Sequence, residues 1–293
     1  METRKPDSRQ QILFMALALA ATLPGVYLRI TGIHPAPILA AILYGLAIVG
    51  AAFILSWAAE VIQLDIASGL ALALLALIAI LPEYAVDFVF TAQAGREFAE
   101  TGEATQYGPL ALANMTGGNQ LLIGLGWPMV ILIGTWRVRK TRTTPEMAEG
   151  TTATEINLSR AQSVDIAYLT IASLYGLTLF LKDTLTLYDA VILIAIYVLY
   201  LRRLSGAPAH APHLVGPSAY IGSLPKRTRR IINYAMFVIA AGVILLCAEA
   251  FAHAIIELGA AIGVSEFLLV KWIAPTASEA PELLVATLFA WRL

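Results

Sequence analysis

Two short stretches place a proline directly before a glutamate inside otherwise apolar runs: Leu81-Pro82-Glu83 and Ala280-Pro281-Glu282. Helical spacing adds a second carboxylate to each. Asp87 follows Glu83 by four residues and Glu279 precedes Glu282 by three, so each pair shares a helix face. Proline removes an amide donor and disrupts the turn before it, which frees backbone carbonyls to face a cavity. Carboxylates with freed carbonyls form a hard-oxygen site of the kind Ca2+ takes, with about six to eight oxygens. That donor set does not suit a soft metal. Four ionised carboxylates around one Ca2+ leave two negative charges unbalanced, so a proton competes with the metal for the same oxygens. Each residue also has a structural reading. Glu83 and Glu282 would be polar groups joining helices, Asp87 a solvated group near an interface, and Glu279 a partner for Lys271 two turns away.

The environment of these residues follows from composition. The 293 residues are 59% hydrophobic and 13% charged, and the mean hydropathy is +0.76, well above a soluble chain of that length. The class is all-α, a polytopic bundle of transmembrane helices. Apolar runs at 11–31, 37–60, 66–92, 108–136, 164–181, 185–201, 231–258 and 264–292 are each near or above the roughly 17–25 residues a bilayer requires. The run from Gln11 to Leu28 reads as a retained span rather than a cleaved signal. A carboxylate near the bilayer centre costs about 2.5–3.5 kcal/mol on insertion scales, so acidic residues inside these runs have partners or a purpose.

Basic residues set the orientation, because Lys and Arg collect on the cytoplasmic side. With the N-terminus cytoplasmic, 15 of the 19 basic residues fall on the inner side; Arg29, Arg96, Lys182 and Lys271 are the four on or near the outer side. The expected location is the cell membrane, multi-pass, with the lipid bilayer as partner. Trp57, Trp136 and Trp291 fall near predicted helix ends, where indoles suit the headgroup layer. The inner loops 138–162 and 202–230 read as flexible connections rather than folded domains. Within the second, His210 and His213 either clip a metal or belong to a proline-rich linker. The single cysteine, Cys247, excludes an internal disulfide and lies in an apolar helix pattern.

The chain also repeats itself. Ala59-Glu60 precedes Pro82-Glu83 much as Ala248-Glu249 precedes Pro281-Glu282. An odd number of helices, five, separates the starts of the two copies, so they point in opposite directions across the membrane. Inverted repeats with broken helices meeting at the midplane are a recurring transporter design. On α-helical spacing Glu249, His253 and Glu257 also share one face, which either relays protons or lines an outer vestibule.

The stretch from Ser265-Glu266-Phe267 through Pro281-Glu282 resembles the second signature helix of the calcium/cation antiporter superfamily, the sodium/calcium exchanger-type membrane proteins. Ala277-Ser278-Glu279-Ala280-Pro281-Glu282 stands where that family has Gly-Thr-Ser-Leu-Pro-Glu. Leu81-Pro82-Glu83 matches the end of the same motif, and Ala113-Asn114-Met115-Thr116-Gly117-Gly118-Asn119 resembles the Gly-Asn helix that follows it. The resemblance implies an inverted-repeat antiporter fold with the second repeat truncated. The implied organisation is an N-terminal tail and extra helix over 1–35, a first exchanger repeat over 36–142, inner loops and two connecting helices over 143–230, and the start of the second repeat over 231–293.

The function so implied is secondary active exchange of Ca2+, or a similar cation, for H+ or Na+ by alternating access. The implied ion ligands are Glu83, Glu282, Asp87, Glu279, Asn114, Ser278 and Asn119, with no cofactor beyond the transported cations. Departures favour the proton. Ile78, Ala79 and Ile80 replace the hydroxyl-bearing part of the first motif, and Glu279 adds a carboxylate to the second. The alternative is a non-transporting ion-sensing or scaffold membrane relative that keeps the fold. Enzyme motifs such as a phosphate-binding glycine loop or a paired-histidine metal helix are missing from the sequence. Nucleic acid is not an expected partner, since the basic residues follow the membrane margin without interleaved aromatics.

Overall fold

The computed structural model describes residues 8–65, 80–141, 151–152, 155–156, 160–179, 181–182, 184–204 and 214–292. The helices are α1 (Ser8–Thr31), α2 (Pro37–Ile62), α3 (Leu81–Thr101), α4 (Tyr107–Leu121), α5 (Trp127–Thr141), α6 (Arg160–Leu179), α7 (Leu187–Leu204), α8 (Pro217–Gly222), α9 (Lys226–Ile262), α10 (Glu266–Ser278) and α11 (Ala280–Arg292). A π-turn, Leu122–Gly126, joins α4 to α5. The only strands among the described residues are Thr151–Thr152 and Glu155–Ile156, an antiparallel pair. Among the described residues, four helical stretches are long and apolar enough to cross a membrane: Ser8–Thr31, Pro37–Ile62, Tyr107–Arg137 and Lys226–Ile262.

Small residues let these helices approach closely, as they must where lipid supplies no hydrophobic drive between them. A Cβ at Gly25 of α1 would meet Ala47 Cβ at 2.6 Å and Leu43 O at 3.0 Å, both on α2. At the centre α2 crosses α9, with Ala47, Ile48, Ala51, Leu55 and Ala58 packed among Ala240, Ile244, Cys247, Ala248, Phe251 and Ile255. Phe251 fills the space over Gly45, where its ring is 3.2 Å from a Cβ position. α3 and α10 lie against this pair, and α4 packs on α3 and α10.

The bundle has two recognisable ends. At one, Arg229 Nε and Nη2 donate to Asp65 Oδ2 and Oδ1 at 3.0 and 2.9 Å, and Arg230 Nε reaches Oδ1 at 3.2 Å, tying the end of α2 to the start of α9. Arg229 holds the Asp65 carboxyl below the usual carboxylate range. At the other end α3 and α9 stop at Gly102 and Gly263, whose φ of 72° and 68° belong to the left-handed region that glycine enters without penalty.

Several expectations are corrected. The run over 264–292 is two helices, α10 and α11, separated at Glu279. Residues 66–79 of the 66–92 run, and His210 and His213, lie outside the described residues. Trp57 is packed inside the bundle rather than on its surface; it is 8% exposed and lies tilted against Phe53 with ring centroids 5.7 Å apart. Trp136 and Trp291 do sit together near the ends of α5 and α11, centroids 5.4 Å apart. Part of 202–230, read as a flexible margin, folds as α8. Pro217 opens that helix and buried Pro217, Ser218 and Ile221 seat it against α1 and α2. The Pro and Gly that suggest a linker instead mark its two ends.

Candidate functional site

The two Pro-Glu breaks have the same backbone shape. Ile80, just before α3, has φ −89° and ψ 4°; Glu279, just before α11, has φ −92° and ψ 2°. In each, the carbonyl of that residue accepts from the amide four positions on, Tyr84 N at 3.0 Å and Leu283 N at 3.1 Å. Proline fits both places because it falls in a first turn, where its missing N–H breaks no helical bond. Glu83 and Glu282 therefore occupy equivalent positions in the first turns of α3 and α11, where the helix dipole favours a negative charge. α10 ends at the second break, so its carbonyl end points there too.

The breaks meet. The carboxyl groups of Glu83 and Glu279 lie within hydrogen-bonding reach of each other, and Glu282 and Asp87 lie within electrostatic reach of Glu83. A hydrogen bond between these two groups would require one of them to carry a proton. Glu279 is 7% exposed; the other three are half-buried. Glu83 Oε1, Asp87 Oδ1 and Glu282 Oε2 are buried oxygens without a hydrogen-bond donor, which are the atoms a cation can take. The oxygens are not drawn tightly together: among the described residues no group of three Asp, Glu, His or Cys side chains is closed enough to hold a metal ion.

α4 supports this cluster from behind. Asn114, 1% exposed, donates from Nδ2 to Glu83 O at 3.3 Å and lies within hydrogen-bonding reach of the Asp87 carboxylate. Gly118 faces the Glu83 carboxylate, and Gly117 faces the Lys271 carbonyl and the Pro275 ring of α10. Two adjacent glycines thus seat α4 against the site and against the helix that leads into it. Ser278 is buried but turned inward on its own helix, its hydroxyl donating to Ala274 O and Pro275 O at 3.3 and 3.2 Å. Asn119 is not brought to the cluster; it lies on the exposed face of α4, with Nδ2 3.5 Å from Met115 O. Lys271 makes no ion pair with Glu279; its ammonium sits over the Phe267 ring, 5.6 Å from the centroid.

The sequence profile described as sodium/calcium exchanger protein matches residues 36–205. The chain belongs to that family. Among solved structures, a crystal structure of the H+/Ca2+ exchanger CAX is 35% identical, covering 97% of this chain and 67% of that one, with a TM-score of 0.82. No curated protein sequence matches the chain. Exchanger-family membership and the apolar helices make it a membrane protein with the fold of secondary transporters.

Within this exchanger fold, three polar contacts join residues that no local spacing brings together. Glu60 of α2 accepts a short hydrogen bond from Ser218 of α8, and lies within electrostatic reach of Glu282. Glu60 marks the repeat in the sequence, and its partner Ser218 lies in the short helix α8, far from it along the chain. On α9, Glu249 pairs with Arg29 of α1, and His253 pairs with Gln93 of α3 at 2.9 Å. The i+4 spacing of Glu249, His253 and Glu257 gave their common face, but no local pattern could have named partners 220 and 160 residues away.

Proposed function

We propose that this protein is a secondary antiporter that exchanges Ca2+ for H+ across the cell membrane by alternating access, with its N-terminus cytoplasmic. Glu83 and Glu282 are the central ligands, Glu279 and Asp87 complete the acidic set, and Asn114 positions the first break. The observation that carries this reading is the pairing of Glu83 with Glu279 across two backbone breaks of matching shape, with Asp87 and Glu282 in reach. The proton that such a pair shares occupies an oxygen a metal ion would use. Ca2+ entering the cluster displaces it, and a returning proton displaces Ca2+. Each released proton offsets one of the two charges the metal brings, so the site avoids holding large net charge in a low dielectric. The likeness to an H+/Ca2+ exchanger supports the same coupling. Sodium has less support, because Ile80 stands in the first break where Glu279 stands in the second and offers no oxygen.

The test is Ca2+ uptake by everted vesicles carrying the protein, driven in turn by a proton gradient and by a sodium gradient. The proton gradient drives uptake, and Glu83→Gln and Glu282→Gln each abolish it. Uptake at the unmodified rate in both variants would remove these residues from the mechanism.

A further inference from the structure

α3 and α9 make a polar contact away from the four carboxylates. Gln93 Nε2 lies 2.9 Å from His253 Nε2. Gln93 follows Asp87 by six residues and Glu83 by ten on one helix, about 9 and 15 Å along the axis at 1.5 Å per residue. His253 therefore stands between the level of the cluster and the end of the bundle closed by Gly102 and Gly263.

The chemistry of the contact has two states. With the carboxamide donating, imidazole Nε2 accepts, and the ring is neutral with its proton on Nδ1. In that state Gln93 Oε1 is buried without a donor. A protonated imidazole presents Nε2–H, and a half-turn of the carboxamide brings Oε1 round to accept it. The pair keeps its hydrogen bond in both states, and a ring that carries Nε2–H satisfies the orphaned oxygen, which otherwise carries a desolvation cost. Histidine is also the side chain suited to changing charge in the physiological pH range.

The charged and titratable surroundings come from every element packed on this part of α9. Glu249 and Glu257 lie one turn to either side on α9 itself. α1 brings Arg29, bound to Glu249. α2 brings Tyr44, within electrostatic reach of Arg29 and Cys247. α3 carries Asp87 before Gln93, with Arg96 and Glu97 beyond it, and α10 brings Glu266 against Gly259. The acidic side chains outnumber the basic ones, an environment that accommodates a transient imidazolium.

We propose that His253 takes up the protons that enter from the Gly263 end and passes them toward Asp87, with Gln93 as its positioning residue. One proton from solution adds to the ring and one leaves to water on the way to Asp87, restoring the neutral ring and the first carboxamide orientation. The inference rests on the proton-coupled reading above.

The test uses the whole protein in proteoliposomes, with Ca2+ flux measured while pH is varied on each side separately. Acid on one side accelerates flux in the parent by about tenfold over two pH units, the span over which one titrating group changes most of its protonation. His253→Gln, which keeps a hydrogen-bonding side chain but cannot titrate, reduces that ratio to about twofold or less. Gln93→Leu moves the midpoint of the profile, and Gln93→Asn restores part of the shift. A His253→Gln profile that superimposes on the parent overturns the inference while leaving the Ca2+/H+ reading intact. Parent flux that ignores a pH gradient on either side overturns both. Soluble, monodisperse variants with parental Ca2+ binding show that a changed profile does not come from misfolding.

Discussion

Gly117 and Gly118 are neighbours with different jobs, and replacing each by alanine separates fold from site. A Cβ at Gly117 would meet the Lys271 carbonyl oxygen well inside contact distance, Pro275 Cγ at 2.9 Å and Lys271 C at 3.0 Å. Two of those atoms are backbone and the third belongs to a proline ring, so none can swing aside. Ordinary carbon contacts lie near 3.5–4.0 Å, so α4 must retreat from α10 by roughly 0.5–1 Å. Overpacking of this kind costs about 1–3 kcal/mol. A Cβ at Gly118 instead meets the end of the Glu83 side chain, with Cδ at 3.0 Å. That end can rotate, so Gly118→Ala leaves stability nearly unchanged but turns a carboxylate away from its partners. Gly242 is the control, since a Cβ there meets nothing within 4 Å, and alanine in a helix interior is favoured by about 0.5–1 kcal/mol. The assay pairs the apparent Tm of purified protein in detergent, compared at one scan rate, with Ca2+ uptake in vesicles. Gly117→Ala lowers Tm by several degrees, Gly118→Ala loses uptake at near-parental Tm, and Gly242→Ala changes neither for the worse. If Gly117→Ala matches the parent within about 1 °C, the close seating of α4 on α10 is not what holds the site.

Two further perturbations concern one end of the bundle and the α6–α7 hairpin. The Asp65 carboxyl is held below its usual range by Arg229, so its contribution to stability is complete above the ordinary carboxylate value of about 3.9 and fades as pH falls through the lower folded value. Asp65→Asn therefore lowers stability at pH 7 by about 1–2 kcal/mol, and the gap in Tm between parent and variant narrows as the pH falls below the ordinary carboxylate range; a constant gap contradicts the assignment. In the α6–α7 hairpin, Asp189 accepts from Lys182, from Tyr175 Oη at 2.5 Å and from Thr186 N and Oγ1 at 2.7 and 2.8 Å. Asp189→Asn accordingly makes that turn more open to proteolysis and leaves uptake unaffected.

The parts of this fold that could be read from sequence are those encoded locally. Pro82 and Pro281 announce the breaks because a proline in an apolar run has few places to go, and Asp87 follows from helical periodicity, whereas Glu279 sits at the break between two helices instead of on one helix face with Glu282. The approach of Glu83 to Glu279 joins residues almost 200 positions apart and became an expectation only through the antiparallel repeat. Other features resisted for physical reasons. Asn119 carries the right side chain at the right motif position, yet α4 commits its Asn114, Gly117 and Gly118 face to packing, and Asn119 lies one residue round the helix from it. α8 is too short to show periodicity and is held by the burial of Ile221 and the Ser218–Glu60 bond, both long-range. Trp57 sits five residues before the end of α2, but the crossing of α2 with α9 determines its burial there.

The two breaks share a backbone shape and differ in the residue that leads into them, Ile80 in one and Glu279 in the other. This asymmetry gives the coupling reading its sharpest consequence. If the proton shared by Glu83 and Glu279 is the one Ca2+ expels, the affinity for Ca2+ must rise with pH by an amount set by the number of protons released on binding. Glu279→Gln keeps the shape and a hydrogen-bond donor for Glu83 but removes the shared proton. The slope of log Kd against pH, measured by Ca2+ titration of the purified protein, should then fall in magnitude by about one. Glu279→Ile makes the second break resemble the first and should give the same reduced slope, because both variants remove the same titrating group. A slope unchanged in both would mean that the proton resides elsewhere, and that the close approach of these two carboxyl groups joins the halves of the molecule without coupling them.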